Sequence, residues 1–500
     1  MMNRNKGSLT IFAVLSMMLI AAFLFTLLEA GRMYQIRTVA QRNTESVMES
    51  VFSNYECPMW ENYHLLVLDD GLTDEQGAFT AWEWFAQNLS EDNMSSGGIP
   101  GGSNHLRPAV EQVSFEEYRL LTDDDGKVYI SAVSQYMKAH LAEAAIDQAV
   151  QQYQAIEGID AGETPDASAV ETADEAIAQE QQQEEADAEG DGSAGQESEE
   201  EKEDMENPLD VMKSLWTTGV ISLVVENPES VSKATVSMSS AVSKRTLQQG
   251  TASSSVETDL LDSALFSKYL QSQFASYTQG NAAGTLQYEM EYLLCGKSGD
   301  KDNLCGAAER LLALREAANL YAIACDSKKM EMVSSLAVTL AGVTANAAIV
   351  AAVEGGLMAA WALAESILDV RTLLTGGKIA LFKSASQWTS DLMHLGSSFG
   401  SFGKASDCSN GLSYVQYLGT LLSLQEEKSA YRAMDIQEAA IRGMEGQEAF
   451  SMDHMVTDAT ISISYRYNTI FLGMEDLTKG MNRVFTFSTQ TGFSYRKAGA

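Results

Sequence analysis

The chain has 500 residues, 45% of them hydrophobic, with 33 Lys and Arg against 69 Asp and Glu for a net charge of −36, and only 6 Pro and 5 Cys. At about 100–200 residues per domain this is enough for several folded units with an ample core, which excludes a wholly disordered chain. Without clustered cations it cannot neutralise a phosphate backbone, which excludes a nucleic-acid partner, and five cysteines are too few for a disulfide-framed scaffold.

A leader of residues 1–7, "MMNRNKG", carries Arg4 and Lys6 and no acid. Residues 8–28, "SLTIFAVLSMMLIAAFLFTLL", follow with no charge. At about 1.5 Å per residue they match the thickness of a bilayer's hydrocarbon layer and predict a transmembrane helix. The basic leader favours a cytoplasmic N-terminus, which puts the rest of the chain outside the cell. The rival reading is a cleavable secretory signal, whose apolar core is usually about 7–15 residues long and ends in a small-x-small site. The stretch here is longer and lacks such a site.

Past the membrane, Met33, Ile36, Val39, Val47 and Val51 fall near helical spacing, so the helix is expected to continue as a stalk over 29–57. The ectodomain then begins, its first part spanning 58–156. "HLLVLDDG" reads as a short strand and "GAFTAWEWFAQNLS" as a helix. Residues 110–133 read as a hairpin turning at Asp125-Gly126, and a helix is expected over 134–156. Residues 157–206 hold twenty acidic residues and one basic, −19 of the total, leaving −17 for the other 450. With almost no large apolar side chain this stretch is expected to be a disordered, self-repelling insert. A cation-binding or protein-docking tail is the functional alternative.

Folded sequence resumes at "VMKSLWTTGVISLVVE", opening the second part of the ectodomain, 207–500. Leu286, Tyr288, Met290, Tyr292 and Leu294 alternate and predict a strand. Long helices are expected at about 301–324, 328–374 and 412–445, and "ATISISYRYNTIFL" and "RVFTFSTQTGFSY" close the chain as an antiparallel pair. The fold class is therefore α+β, one discontinuous, mainly helical ectodomain with antiparallel strands on a membrane anchor. Residues 333–353 are a second uncharged stretch, but with eight bulky aliphatic side chains and seven alanines they suit a buried core helix better than a second span.

Chemistry-bearing motifs are sparse. Gly396-Ser397-Ser398-Phe399-Gly400 satisfies G-x-S-x-G, yet "SQWTSDLMHL" before it lacks the strand that a nucleophile elbow needs; a plain Gly/Ser loop is expected, with a serine hydrolase centred on Ser398 as the rival. His64, His105, His140, His394 and His454 are scattered, without metal-ligand spacing. "LLTDDDGKVY" fails as an EF-hand, because aligning Gly126 puts Leu121 and Ala132 at ligand positions. No metal site or cofactor is expected. Cys295 and Cys305 bracket the loop "GKSGDKDNL" and could close it with a disulfide outside the cytoplasm; buried free thiols are the alternative.

The leader ending in Gly7-Ser8, the long apolar helix and "LEAGRMYQIRTVAQRNTESVMESVFSNY" after it resemble the pseudopilin-like proteins of the tight-adherence (Tad) pilus system, the TadE/TadG-like group. The resemblance implies that a prepilin-type peptidase cuts between Gly7 and Ser8, that Glu29, Gly31 and Arg32 form the membrane exit, and that the apolar helix stays as anchor or packs with pilus subunits. Phe12 stands at the fifth position after the glycine, where true pilins carry glutamate. The segments "YEMEYLLCGKSGDKDNL", "WALAESILDVRTLLTGGKIALFKSASQW" and "YVQYLGTLLSLQEEKSAYRAMDIQEAAIR" are similar to an uncharacterised extracellular domain attached to such anchors in Gram-positive gut anaerobes. The resulting expectation is a non-catalytic single-pass surface protein of Tad-type pilus assembly or adhesion, with the membrane, other pseudopilin subunits and the peptidase as partners. A membrane-anchored binding or sensor module is the alternative.

Overall fold

A computed structural model describes residues 5–72, 77–95, 106–154, 168–188, 207–216, 218–237, 239–280, 285–342, 346–399, 402–470 and 484–496. The chain divides into two compact units: unit 1 is Met1–His140, Thr246–Thr258 and Met444–Ala500, and unit 2 is Leu141–Arg245 and Asp259–Gly443. The single ectodomain expected from the sequence is thus two units, each assembled from separated stretches, and no boundary between them falls in the acidic segment.

In unit 1, α1 (Asn5–Phe52) runs unbroken for 48 residues. Along its first part Leu9, Phe12, Met17 and Leu19 are 69–75% exposed, and the helix is long and apolar enough to cross a membrane. Its second part is core, with Ile36, Ala40, Val47, Met48 and Val51 buried along one face. The stretch expected to be a stalk is therefore largely a packing element, because its apolar face lies on a sheet.

That sheet is centred on β5 (Met455–Asn468), which pairs antiparallel with β2 (Ala109–Leu120), β6 (Val484–Ser494) and the short β1 (Leu68–Asp69). The β5–β6 register runs without a slip from Asp458↔Ser494 to Asn468↔Val484, as the alternating sequence requires. Ile461, Ile463 and Tyr465 of β5 join Val47, Val51 and Phe52 of α1 in one apolar cluster. The Tyr465 hydroxyl enters this seam, accepting from Asn43 Nδ2 at 2.8 Å and donating to the Ala40 carbonyl at 3.2 Å. Helices α2 (Cys57–Tyr63), α3 (Thr80–Ser95) and α4 (Lys127–His140) complete the unit.

The hairpin expected over 110–133 forms only its first strand. Asp124, Asp125 and Gly126 take positive φ, but the turn delivers the chain into α4, where Tyr129, Val133 and Met137 are buried at helical spacing of four. Two acids of that turn hold backbone. Asp123 accepts from the amides of Leu120 and Gly250, and Asp124 from that of Val256 at 2.8 Å, fastening the excursion 246–258 beside β2.

Unit 2 is helical: α5 (Glu143–Gln154), α6 (Ser168–Ala188), α7 (Pro208–Trp216), α8 (Val220–Val224), α9 (Leu260–Gln273), α10 (Glu289–Cys295), α11 (Asp300–Ala324), α12 (Ser327–Ala341), α13 (Ala347–Leu374), α14 (Leu395–Ser398), α15 (Tyr414–Ser423) and α16 (Glu426–Arg442). One two-residue pair, β3 (Lys378–Ile379) with β4 (Leu412–Ser413), is its sheet among the described residues. The strand expected at 286–294 is instead helix α10. Glu289 through Leu294 are all buried, and burial on every side erases the periodicity that separates helix from strand.

The helix expected over 328–374 is two helices. Gly342 at φ 95 ends α12, and the Asn346 side chain caps α13 by accepting from the amides of Ala348 and Ile349. The core helix expected over 333–353 therefore straddles a break. The second helix long enough to span a membrane is α13 itself; Gly356–Leu374 is almost wholly buried in unit 2 and includes Glu365, Asp369 and Arg371. The helix expected over 412–445 likewise splits into α15 and α16.

The acidic insert needs correction in its middle. Part of it, 157–167 and 189–206, lies outside the described residues, but 168–188 forms α6, whose Val170 and Ala173 are buried. A Cβ on Gly356 would stand 2.2 Å from Ala173 Cβ, so this glycine is what lets α6 lie against α13.

Candidate functional site

The predicted membrane exit comes together around one buried carboxylate. Glu29 is fully buried, although the helix before it is exposed. Its Oε1 accepts from Arg32 Nη1 at 2.8 Å and its Oε2 from the Ile470 amide at 3.1 Å. Arg32 Nη1 also donates to the Asn468 carbonyl at 3.0 Å, so the pair ties the end of β5 to α1 where the exposed apolar stretch stops. Gly31 is on the open side, where an added Cβ would meet nothing within 4 Å. Gly7 and Ser8 lie in the first turns of α1.

The remaining sequence candidates stay apart. Cys295 and Cys305 are free thiols, not a disulfide. Cys295 Sγ donates to the Asn303 carbonyl and Cys305 Sγ to Glu309 Oε1, each at 3.5 Å. Burial pushes both thiols up to about 11, so neither is a ready thiolate at neutral pH. Ser398 ends the four-residue α14 behind a 3₁₀ turn, and its hydroxyl donates to the His394 carbonyl. The strand that an elbow requires is not there. Among the described residues no three His, Cys, Asp or Glu side chains are grouped to hold a metal.

What the sequence reading missed is the polar centre of unit 2. Arg315 on α11 has no exposed surface and donates from Nε to Asp369 Oδ2 at 3.0 Å and from Nη1 to the Leu381 carbonyl at 2.7 Å. Asp369 Oδ1 also accepts from Lys383 Nζ at 2.6 Å, and Lys383 meets Glu365 through a second short contact. Glu365 Oε2 further accepts from the Ser390 amide at 2.7 Å. Two cations and two carboxylates thus neutralise one another inside the helical unit, as buried charges must. The available signal was Glu365 and Asp369, four residues apart in a helix otherwise apolar on that face.

Beside this centre Lys329 on α12 is buried, with its Nζ 3.1 Å from the centroid of the Trp388 ring and 5.8 Å from that of Trp361. The two indoles meet edge to face at 5.5 Å. Burial lowers the Lys329 ammonium to about 8, against the opposing pull of Asp326 and Glu365 and with Lys383 adding to the drop. Lys329 lines a cleft of about 360 Å³ together with Tyr321, Cys325, Asp326, Phe382 and Lys383. A perturbed cation in a cleft is where function is commonly found.

A family model described as a family of unknown function, DUF5702, matches residues 198–467, just over half of the chain. The chain belongs to this family. The DUF5702 match takes in α7 to α16, hence the polar centre and the Lys329 cleft, and most of β5; α1 lies outside it. No curated protein and no solved structure matches the chain.

Proposed function

We propose that the protein is a non-catalytic, single-pass surface protein whose α1 anchors it in the membrane, with the N-terminus cytoplasmic and the chain beyond the anchor outside, and that it serves Tad-type pilus assembly or adhesion. The observation that carries the anchor is the contrast within one helix. Thirteen large apolar side chains between Leu9 and Leu28 are exposed, whereas the same helix from Ile36 onward is core. Leaving so much contiguous apolar surface in water is costly, and lipid is the environment that removes the cost. The Tad reading is supported by the Gly7-Ser8 leader pattern and by the Glu29-x-Gly31-Arg32 exit.

The full chain purified from membranes is expected to begin at Ser8 on N-terminal sequencing and to bring down other pseudopilin subunits. An intact Met1 together with no pilus subunit would contradict the Tad assignment while leaving the anchor standing.

A further inference from the structure

The Lys329 cleft holds a cation whose charge no acid in contact with it takes up. The second lysine of its wall, Lys383, is already neutralised by Glu365 and Asp369. Asp326, the acid nearest in sequence, attracts the ammonium at longer range, while its Oδ1 accepts from the amides of Lys328 and Lys329 at the start of α12, where the helix dipole favours negative charge. Lys329 itself is only 7% exposed, and among the described residues its Nζ has ring faces for neighbours and no hydrogen-bond acceptor. An ammonium has three protons to donate, and since the rings offer no acceptor those protons are available to an occupant of the cleft that Lys329 lines.

The rest of the wall describes that occupant. Tyr321 and Phe382 stand at the cleft 62% and 52% exposed, their rings edge to face at 5.9 Å, an aromatic pair that an apolar body can cover. A cleft of about 360 Å³ is in the range of small-molecule sites. One point cation without an arginine fork suits a single acid group better than a phosphate, which is usually met by several donors.

We propose that this cleft is a binding site for a small organic carboxylate, its acid group on Lys329 Nζ and its apolar body against Tyr321 and Phe382. Binding gives Lys329 Nζ a charge-assisted hydrogen bond, and it covers the two exposed rings.

The test is ligand-observed NMR on the full chain in detergent, with benzoate and its neutral isostere benzamide as probes. Benzoate is expected to bind saturably and roughly tenfold more tightly than benzamide, the usual worth of a charged hydrogen bond. Lys329→Met is expected to abolish that preference. Tyr321→Ala, at an exposed position, is expected to weaken both probes severalfold and keep the preference. Equal affinity for the two probes, benzoate binding unchanged in Lys329→Met, or no saturable binding up to about 10 mM by the folded wild-type chain would each overturn the proposal.

Discussion

Replacing Asp369 by alanine is expected to destabilise unit 2 by about 3–5 kcal/mol, the usual cost of removing one partner from a buried ion pair. Asp369 accepts from Arg315 Nε at 3.0 Å, from Asn319 Nδ2 at 3.1 Å and from Lys383 Nζ at 2.6 Å. Without it, Arg315 and Lys383 keep two charges, with side chains fully excluded from solvent, against Glu365 alone. The loss therefore comes chiefly from uncompensated charge, and a second substitution should recover part of it. In Asp369→Asn with Lys383→Met, one cation and one anion remain, and the double variant is expected to be less destabilised than the two single changes added together. Urea unfolding with hydrogen exchange read on α11 and α13 peptides measures this. A cost for Asp369→Ala below about 1 kcal/mol would mean that water reaches the cluster and the charges are not buried.

Glu291 gives unit 2 a pH dependence of the opposite sense to a salt-bridged carboxylate. Fully buried on α10, it accepts at Oε1 from the Tyr414 hydroxyl at 2.6 Å and the Tyr277 amide at 2.8 Å, while its Oε2 is buried without a hydrogen-bond partner among the described residues. Desolvation dominates those bonds and raises the carboxyl from 4.5 to about 7. The folded state therefore holds this proton more tightly than the unfolded state. Stability is fully retained below pH about 4.5, falls as pH rises, and has lost about 3 kcal/mol from this group by pH 8. Burial raises Asp435 as well, in the same direction. Glu291→Gln, which carries no charge to bury, is expected to flatten the slope between pH 5 and 8 and to leave unit 2 more stable than wild type at the upper end. A wild-type unit 2 whose stability rises over that interval would show that Glu291 titrates as an ordinary carboxylate.

The sequence carried some of this architecture because some segments announce their environment in their residues. The uncharged run before Glu29 is one continuous helix and the alternation of β5 and β6 is one antiparallel pair, so there pattern and structure agree. Where burial is complete the pattern is lost: α10 puts Glu289 to Leu294 all inside, and its chance alternation of aromatic and apolar residues imitates a strand. Breaks were written in single residues that a hydropathy reading passes over, Gly342 and Asn346 between α12 and α13. In the acidic segment, Val170, Ala173 and Ile177 recur at three and four, a stripe too narrow to stand out against twenty acids but wide enough to seat α6 on α13. The polar centre was the least legible feature. Arg315, Glu365, Asp369 and Lys383 are distant or unremarkable in sequence, and only the tertiary fold shows that their charges close on each other.

That same fold leaves thirteen large apolar side chains of α1 between Leu9 and Leu28 exposed, and membrane anchoring through residues 8–28 is the claim on which the functional account stands. Alkaline-carbonate extraction of membranes from cells making the full chain tests it directly, with Leu15→Arg/Leu19→Arg as the comparison. Each arginine at mid-helix costs about 2.5–3.5 kcal/mol of insertion. The wild-type chain is expected to stay in the membrane pellet and the double-arginine chain to be released; a wild-type chain recovered in the soluble fraction would contradict the account.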